Sequence, residues 1–265
     1  MSQAWLALAG QAGAATIGPI MSHVRSIPIE ERHVVRRLIN PQAVSDAMAA
    51  YYALEHPPER TRLFGYFPEG EVISAFLAVA QTGLDLFRPL AVPFAATSES
   101  LMALLEAALD PARPHLVMLP VEQEPHLERG FACKRVQVGN LLRLDTRAFE
   151  PVINVLTVEK RNQEGWPRFE IQARGGGFAA AGLNWKSTSA AEMYVEADEV
   201  GRRRGFSRSV LSALISRLWE ERLKILFRVV DDDYGSFEDA FDLGFVPTGV
   251  RTSLLEIERI PAREP

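Results

Sequence analysis

Cysteine is almost missing from this chain. Cys133 is the single one in 265 residues, which excludes an internal disulfide framework and fits a reducing, cytoplasmic setting. Histidine is scarce as well: His23, His33, His56, His115 and His126 are scattered without metal-ligand spacing, and no histidine or cysteine follows residue 133. An excess of positive charge is lacking too. The formal net charge of −5 argues against general binding to nucleic acid or to an anionic membrane. No long apolar run is present: residues 1–20 are small and apolar but are interrupted by Gln3, Gln11 and glycines, and they carry no basic leader, so they make a poor membrane span. That stretch is read as an N-terminal segment, mobile or packed, with a signal peptide the less favoured reading. Asp231, Asp232 and Asp233 are consecutive; three adjacent carboxylates cannot all point inward, so a solvated loop or helix start is expected there, and no metal.

What is present is an ordinary globular composition, 47% hydrophobic and 24% charged, in a chain long enough for one large domain or two small ones with real cores. In the first half, helical periodicity covers residues 29–39 and 43–54, the second ended by His56, Pro57 and Pro58. Strand-like runs at 62–67 and 71–80 flank Pro68, Glu69 and Gly70, a hairpin signal. An amphipathic helix is expected at 98–109 with Thr97 or Ser98 as N-cap, then a buried strand at 115–119. In the second half, strands are expected at 168–174 and 178–186 around the turn Gly175, Gly176, Gly177. A further strand at 190–197 leads to a helix over 206–222, an apolar strand at 225–230, a short helix at 236–243, Gly244 past its end, and a last strand at 250–257. Cys133 is read as a packed residue, and Trp166, Trp185 and Trp219 as core or pocket wall without a specific role.

The halves echo one another. Leu127, Gly130 and Phe131 precede a strand ending at Leu144, and Leu243, Gly244 and Phe245 precede one ending at Ile257. Two related α/β lobes, 1–149 and 150–265, are therefore expected in preference to one continuous sheet.

Between the strand at 190–197 and the helix at 206–222 lie Arg202, Arg203, Arg204, Gly205, Phe206 and Ser207. A strand end, a basic glycine-containing loop and a helix start aim unpaired N–H groups and a positive dipole end at one spot, the makings of a phosphate or pyrophosphate site. A basic cluster opposes the dipole of that helix, so without an anion the arrangement is mildly unfavourable. On the strand, period-two alternation puts Glu192, Tyr194 and Glu196 on one face.

With the arginine loop, the strand after its helix, and Leu243, Gly244 and Phe245 in this order, the region from about Trp166 to Ile257 resembles a GNAT-superfamily N-acetyltransferase. Arg202, Gly205 and Ser207 match the family's Arg/Gln-x-x-Gly-x-Gly/Ala loop, with serine at the last small position. Asp233 and Ser236 match the start of its later motif, but Ala240 stands where many members have a general-acid tyrosine. The first half carries no such loop; its corresponding stretch, 87–97, is proline-rich and nearly uncharged, like a degenerate lobe of two-lobed relatives.

The resemblance implies an α/β (α+β) GNAT fold, a mixed, mostly antiparallel sheet flanked by helices in two tandem lobes. It also implies acetyl-CoA or another acyl-CoA as co-substrate and an N-acetyltransferase transferring the acyl group directly to a small-molecule or peptide amine. The N–H groups of Arg203 to Ser207 would receive the pyrophosphate with the arginine side chains of Arg202, Arg203 and Arg204, the backbone of Val195 and Ala197 would pair with the pantetheine arm, and Asp233 and Ser236 would lie near it. Glu196 is the first candidate base, being closest to the expected acyl end, and Glu192 the second. Other readings are a non-catalytic acyl-CoA-binding or regulatory GNAT-like protein, motivated by Ala240, and a structural protein whose arginine loop contacts a partner. A monomer or homodimer is expected.

Overall fold

Alternating and continuous apolar runs make the strands of this chain, and 3.6-residue apolar spacing makes its helices. The structure is a computed structural model and describes residues 23–68, 72–83, 85, 87–111, 113–152 and 155–260. The expectations for residues 1–20 and for the turn at Glu69 and Gly70 lie outside the described residues.

The first half contains β1 (Val24–Ile27), a 3-10 stretch (Ile29–Leu38), α1 (Ala47–Leu54), β2 (Thr61–Tyr66), β3 (Ala75–Ala80) and β4 (Leu90–Phe94). α2 (Ser98–Ala108), β5 (His115–Pro120), a second 3-10 stretch (Val121–Arg129) and β6 (Phe131–Leu144) complete it. The second half contains β7 (Val158–Arg161), β8 (Pro167–Gln172), β9 (Phe178–Lys186), β10 (Ala190–Ala197), α3 (Glu199–Arg203), α4 (Phe206–Glu220), β11 (Lys224–Val230), α5 (Tyr234–Asp242) and β12 (Phe245–Arg259).

All twelve strands belong to one sheet, in the order β1-β2-β3-β4-β5-β12-β6-β11-β10-β9-β8-β7. This corrects the expectation of two lobes without a continuous sheet, and the reason is an exchange of last strands. β6, which ends the first half, pairs with β11 of the second, while β12 pairs with β5 of the first. β6 and β12 also pair with each other, Phe131 opposite Arg259 and Phe245 opposite Leu144. The two segments that echo in sequence are thus antiparallel neighbours, and the strand order reads alike from either edge. The parallel pairs β4–β5 and β10–β11 occupy equivalent places; the other strand pairs are antiparallel.

Side-chain parity sorts the core. Leu77, Val79, Ala91, Val117 and Leu119 pack under α2 with Leu101, Leu104 and Leu105. Their strand neighbours Phe76, Ala78, Leu90, Val92 and Leu116 face the other side, under α1. That second layer crosses into the other half, where Trp185, Leu226 and Leu254 join it. In the second half, Val210, Leu211, Leu214, Ile215 and Leu218 form the inner stripe of α4 against β8 to β11. Burying each such side chain stabilises the fold by about 1.5–3 kcal/mol. α2 starts as expected, with the Thr97 hydroxyl accepting from the Ser100 N–H at 3.2 Å.

Cys133 departs from its expectation: it is exposed, on an outward-facing stretch of β6. Among the described residues, no helix is long and apolar enough to cross a membrane.

Candidate functional site

β10 and β11 run parallel and paired only from Ala190 to Met193, opposite Lys224 to Phe227. Past that point the strands part. β10 stays on β9 through Ala197, and β11 stays on β6 through Val230. The Asp198 N–H donates to the Phe178 carbonyl of β9 at 3.1 Å. By period two, the Val195 and Ala197 backbone groups then face the gap; consistent with this, the Ala197 carbonyl accepts from Arg202 Nε at 3.3 Å on that side.

The basic segment that follows is more ordered than a loop. Asp198 caps a short helix, its Oδ1 accepting from the Gly201 N–H at 2.6 Å, so α3 already contains Arg202 and Arg203. The Arg204 and Gly205 N–H groups are consumed by the carbonyls of Val200 (3.1 Å) and Arg202 (3.0 Å). This corrects the expectation that the N–H groups from Arg203 to Ser207 all point at one anion. Gly205 has φ 70° and gives α4 no side-chain cap. The first turn of α4, beginning Phe206 and Ser207, therefore keeps the N–H groups that have no intrahelical acceptor. Arg202, Arg203 and Arg204 are exposed beside it. Arg202 bonds Asp233 Oδ1 at 3.2 Å, Arg203 pairs with Glu199, and Arg204 donates to the Gly176 carbonyl at 3.0 Å. Such exposed pairs are weak and readily exchanged.

Two glycines are dictated by this layout. Gly205 takes the left-handed conformation between the two helices, and a Cβ on Gly201 would stand 2.2 Å from the Phe178 carbonyl oxygen.

Asp233 and Ser236 stand across the gap, at the end of β11. Asp233 caps α5, accepting from the Ser236 N–H at 3.1 Å and the Ser236 hydroxyl at 2.7 Å. That is the helix start anticipated for the aspartate run, and among the described residues no cluster of acidic, histidine or cysteine side chains could hold a metal. Ala240 is fully buried in α5.

The gap opens into a cavity of about 930 Å³ lined by both halves. Glu192, Tyr194 and Glu196 all line it, as the alternation predicts. Their circumstances differ. Glu192 is 3% exposed and its carboxylate is fully engaged: it accepts from Asn184 Nδ2 (3.0 Å), Trp185 Nε1 (3.2 Å), and Arg228 Nε (3.2 Å) and Nη2 (2.8 Å). A carboxylate so held has no lone pair to spare for an incoming proton, which argues against Glu192 as a base. Glu196 is exposed and shares Arg168 (3.2 Å) with Glu170 and the Tyr194 hydroxyl. Burial raises the Tyr194 phenol above its ordinary pKa, with Arg168 pulling against it.

Sequence reasoning missed Arg228 and the contribution of α1. An arginine inside the apolar run Ile225 to Val230 was the available signal, because a charge in a buried strand needs a partner. Arg228 also reaches Met48 of α1, its Nη2 3.9 Å from the sulfur. Tyr52, one turn beyond Met48, and its neighbour Tyr51 line the same cavity. In the first half, Gln123 Nε2 bonds the Ala95 carbonyl at 2.7 Å, next to where β4 leaves β5.

No protein-family model matches the sequence, and no curated protein does. Solved structures do resemble it. A tandem GNAT protein from the clavulanic acid biosynthesis pathway superposes with TM-score 0.58 at 9% identity, over 91% of this chain and 99% of its own. A GNAT-family acetyltransferase from Colwellia psychrerythraea gives 0.53 at 10% identity, over 89% and 99%. A GCN5-related N-acetyltransferase-like protein from Streptococcus suis gives 0.57 at 11%, over 86% and 100%. The fold of this chain is the GNAT acetyltransferase fold, carried across both halves as in the tandem relative.

Proposed function

We propose that the chain is an acyl-CoA-dependent N-acyltransferase that takes acetyl-CoA and delivers its acyl group directly to an amine. The observation that carries this reading is the parting of β10 from β11 between an uncapped, arginine-flanked helix start and a cavity walled by both halves. The pyrophosphate would meet the first turn of α4, at Phe206 and Ser207, with Arg202, Arg203 and Arg204 exchanging their present surface partners for it. The thioester arm would pair with the backbone of Val195 and Ala197, with Asp233 and Ser236 on the opposite wall.

Transfer forms a C–N bond and breaks the C–S bond. The ammonium proton leaves to a base and the departing thiolate takes one up. Glu196 is the candidate base: it lines the cavity, faces solvent, and has lone pairs beyond its bond to Arg168. Ala240 offers no hydroxyl, and that lack motivates the second reading, a non-catalytic acyl-CoA-binding or regulatory protein.

In this proposal the lobes are 1–149 and 150–265. The second holds acyl-CoA and the first closes the acceptor side, in a cytoplasmic monomer or homodimer. Acetyl-CoA at millimolar concentration should raise the melting temperature, and Arg204→Glu combined with Gly205→Asp should abolish the rise. No rise overturns the co-substrate assignment. A rise without thiol release across an amine panel selects the non-catalytic reading.

A further inference from the structure

Aromatic rings from both halves of the chain line the cavity, among them Tyr51, Tyr52, His56 and Trp185. Tyr51 of α1 stacks on Trp185 of β9, ring centroids 5.6 Å apart at 21°. Tyr52 meets Tyr51 at 4.9 Å and His56 at 5.3 Å. Tyr52 is 5% exposed and lines the cavity, where a phenol can present its hydroxyl to what enters. Desolvation raises its pKa, aided by Tyr51 and Glu192, so the group stays a donor at neutral pH.

The charges lining the cavity are unbalanced. Glu55, Glu164, Glu192, Glu196 and Asp233 line it, against Arg60, Lys186 and Arg228. Lys186 is paired with Glu221 and Arg228 with Glu192 at 2.8 Å, while Arg60 lies 3.9 Å from Glu164 in an exposed pair. The Glu55 carboxylate, by contrast, accepts from the neutral Thr188, at 2.7 Å from its N–H and 3.2 Å from its hydroxyl. Carboxylates outnumber cations on this lining, which favours an ammonium over a carboxylate or phosphate.

His56 adds an acceptor. The Thr61 hydroxyl donates to the Pro57 carbonyl at 3.0 Å, so its oxygen is left to accept from His56 Nδ1. Nε2 then carries the lone pair. Burial first, then Arg60 and Arg32, pull the imidazole pKa down to about 4, against Glu59, so it is neutral near pH 7.

We infer that the pocket walled by Tyr51, Tyr52, His56 and Trp185 receives a small amine carried on an apolar, aromatic body that bears no carboxylate or phosphate. The inference rests on the acyltransferase reading and deepens it by naming the acceptor class.

Phenethylamine and phenylalanine test it, because they share ring and ammonium and differ by one carboxylate. Trp166 and Trp185 line the cavity, so intrinsic fluorescence reports binding without acyl-CoA or turnover. Phenethylamine should bind at least about tenfold more tightly than phenylalanine, and more tightly than spermidine, which offers charge without a ring. Tyr51→Ala and the milder Tyr52→Phe should each weaken phenethylamine about fivefold or more while leaving the acetyl-CoA melting shift unchanged. Equal or tighter phenylalanine or spermidine binding, no binding at millimolar phenethylamine, or indifference to both substitutions overturns the inference. Phenethylamine binding without any acetyl-CoA shift would overturn the acyltransferase reading and leave the amine pocket standing.

Discussion

Arg228 holds Glu192 at 2.8 Å just where β10 and β11 separate, and the two side chains are 7% and 4% exposed. The pair is knitted into both halves, since Arg228 also donates to Thr252 of β12 and touches Met48 of α1. A buried pair of this kind adds little over apolar packing, but removing one member strands the other. Glu192→Ala should cost about 3–5 kcal/mol in urea denaturation. Adding Arg228→Met should restore much of that loss, and a cycle without such recovery would show that the two charges do not couple.

Glu196 has the opposite setting, exposed at the mouth and bonded through one oxygen to Arg168. Glu196→Gln should lower kcat by about 100-fold, the usual scale for a general base. The acetyl-CoA melting shift should not change. Unaltered turnover would clear Glu196 of the role.

Buried His56 and partly buried Asp239 should tilt the pH dependence of stability in opposite directions. His56 has its pKa lowered from 6.5 to about 4, chiefly by burial. Its contribution is therefore full above pH 6.5 and is lost as pH falls toward 4. Asp239 has its pKa raised from 3.8 to about 6, again chiefly by burial and against the pull of Arg208. The folded protein then binds more protons than the unfolded chain between those values, so this group's contribution declines as pH rises from about 4 to 6. Denaturation profiles of His56→Asn and Asp239→Asn should bend in opposite senses across that window. Identical profiles would contradict both assignments.

Gly201 is fixed by the approach of α3 to the start of β9, with 2.2 Å from an added Cβ to the Phe178 oxygen. Gly201→Ala should destabilise by about 1–3 kcal/mol and weaken acetyl-CoA protection, because the backbone leading to α4 must move. Calorimetry with and without ligand measures both effects.

Much of the second half was legible. β9 and β10 run over the residues expected of them, and Asp233, like Thr97 in the first half, sits at a helix start. α3 was read as loop because Gly201 and Gly205 resemble breakers, yet Gly201 is there for close approach and only Gly205 needs a positive φ. β4 was hidden by Pro93. That proline is tolerated because β4 pairs with β5 only at Leu90 and Ala91, so its missing N–H falls past the paired segment. β1 and β7, four residues each, lie at the two sheet edges and carry little apolar pattern. The cavity wall contributed by α1 could not be read locally at all. Met48 and Arg228 meet across 180 positions of sequence, and no spacing rule connects them.

The exchanged strands have a consequence for the order in which the chain becomes a protein. β12 follows every other strand in sequence yet lies between β5 and β6, near the centre of the sheet. A ribosome releases eleven strands before the one that joins them. Until then β5 exposes an apolar edge, and Leu255 and Ile257 are missing from the layer beneath α2. The first half is thus made early and finished late, and its stability is underwritten by the far end of the chain. A fragment of residues 1–149 should show no cooperative melting, and supplying residues 150–265 in trans should restore it.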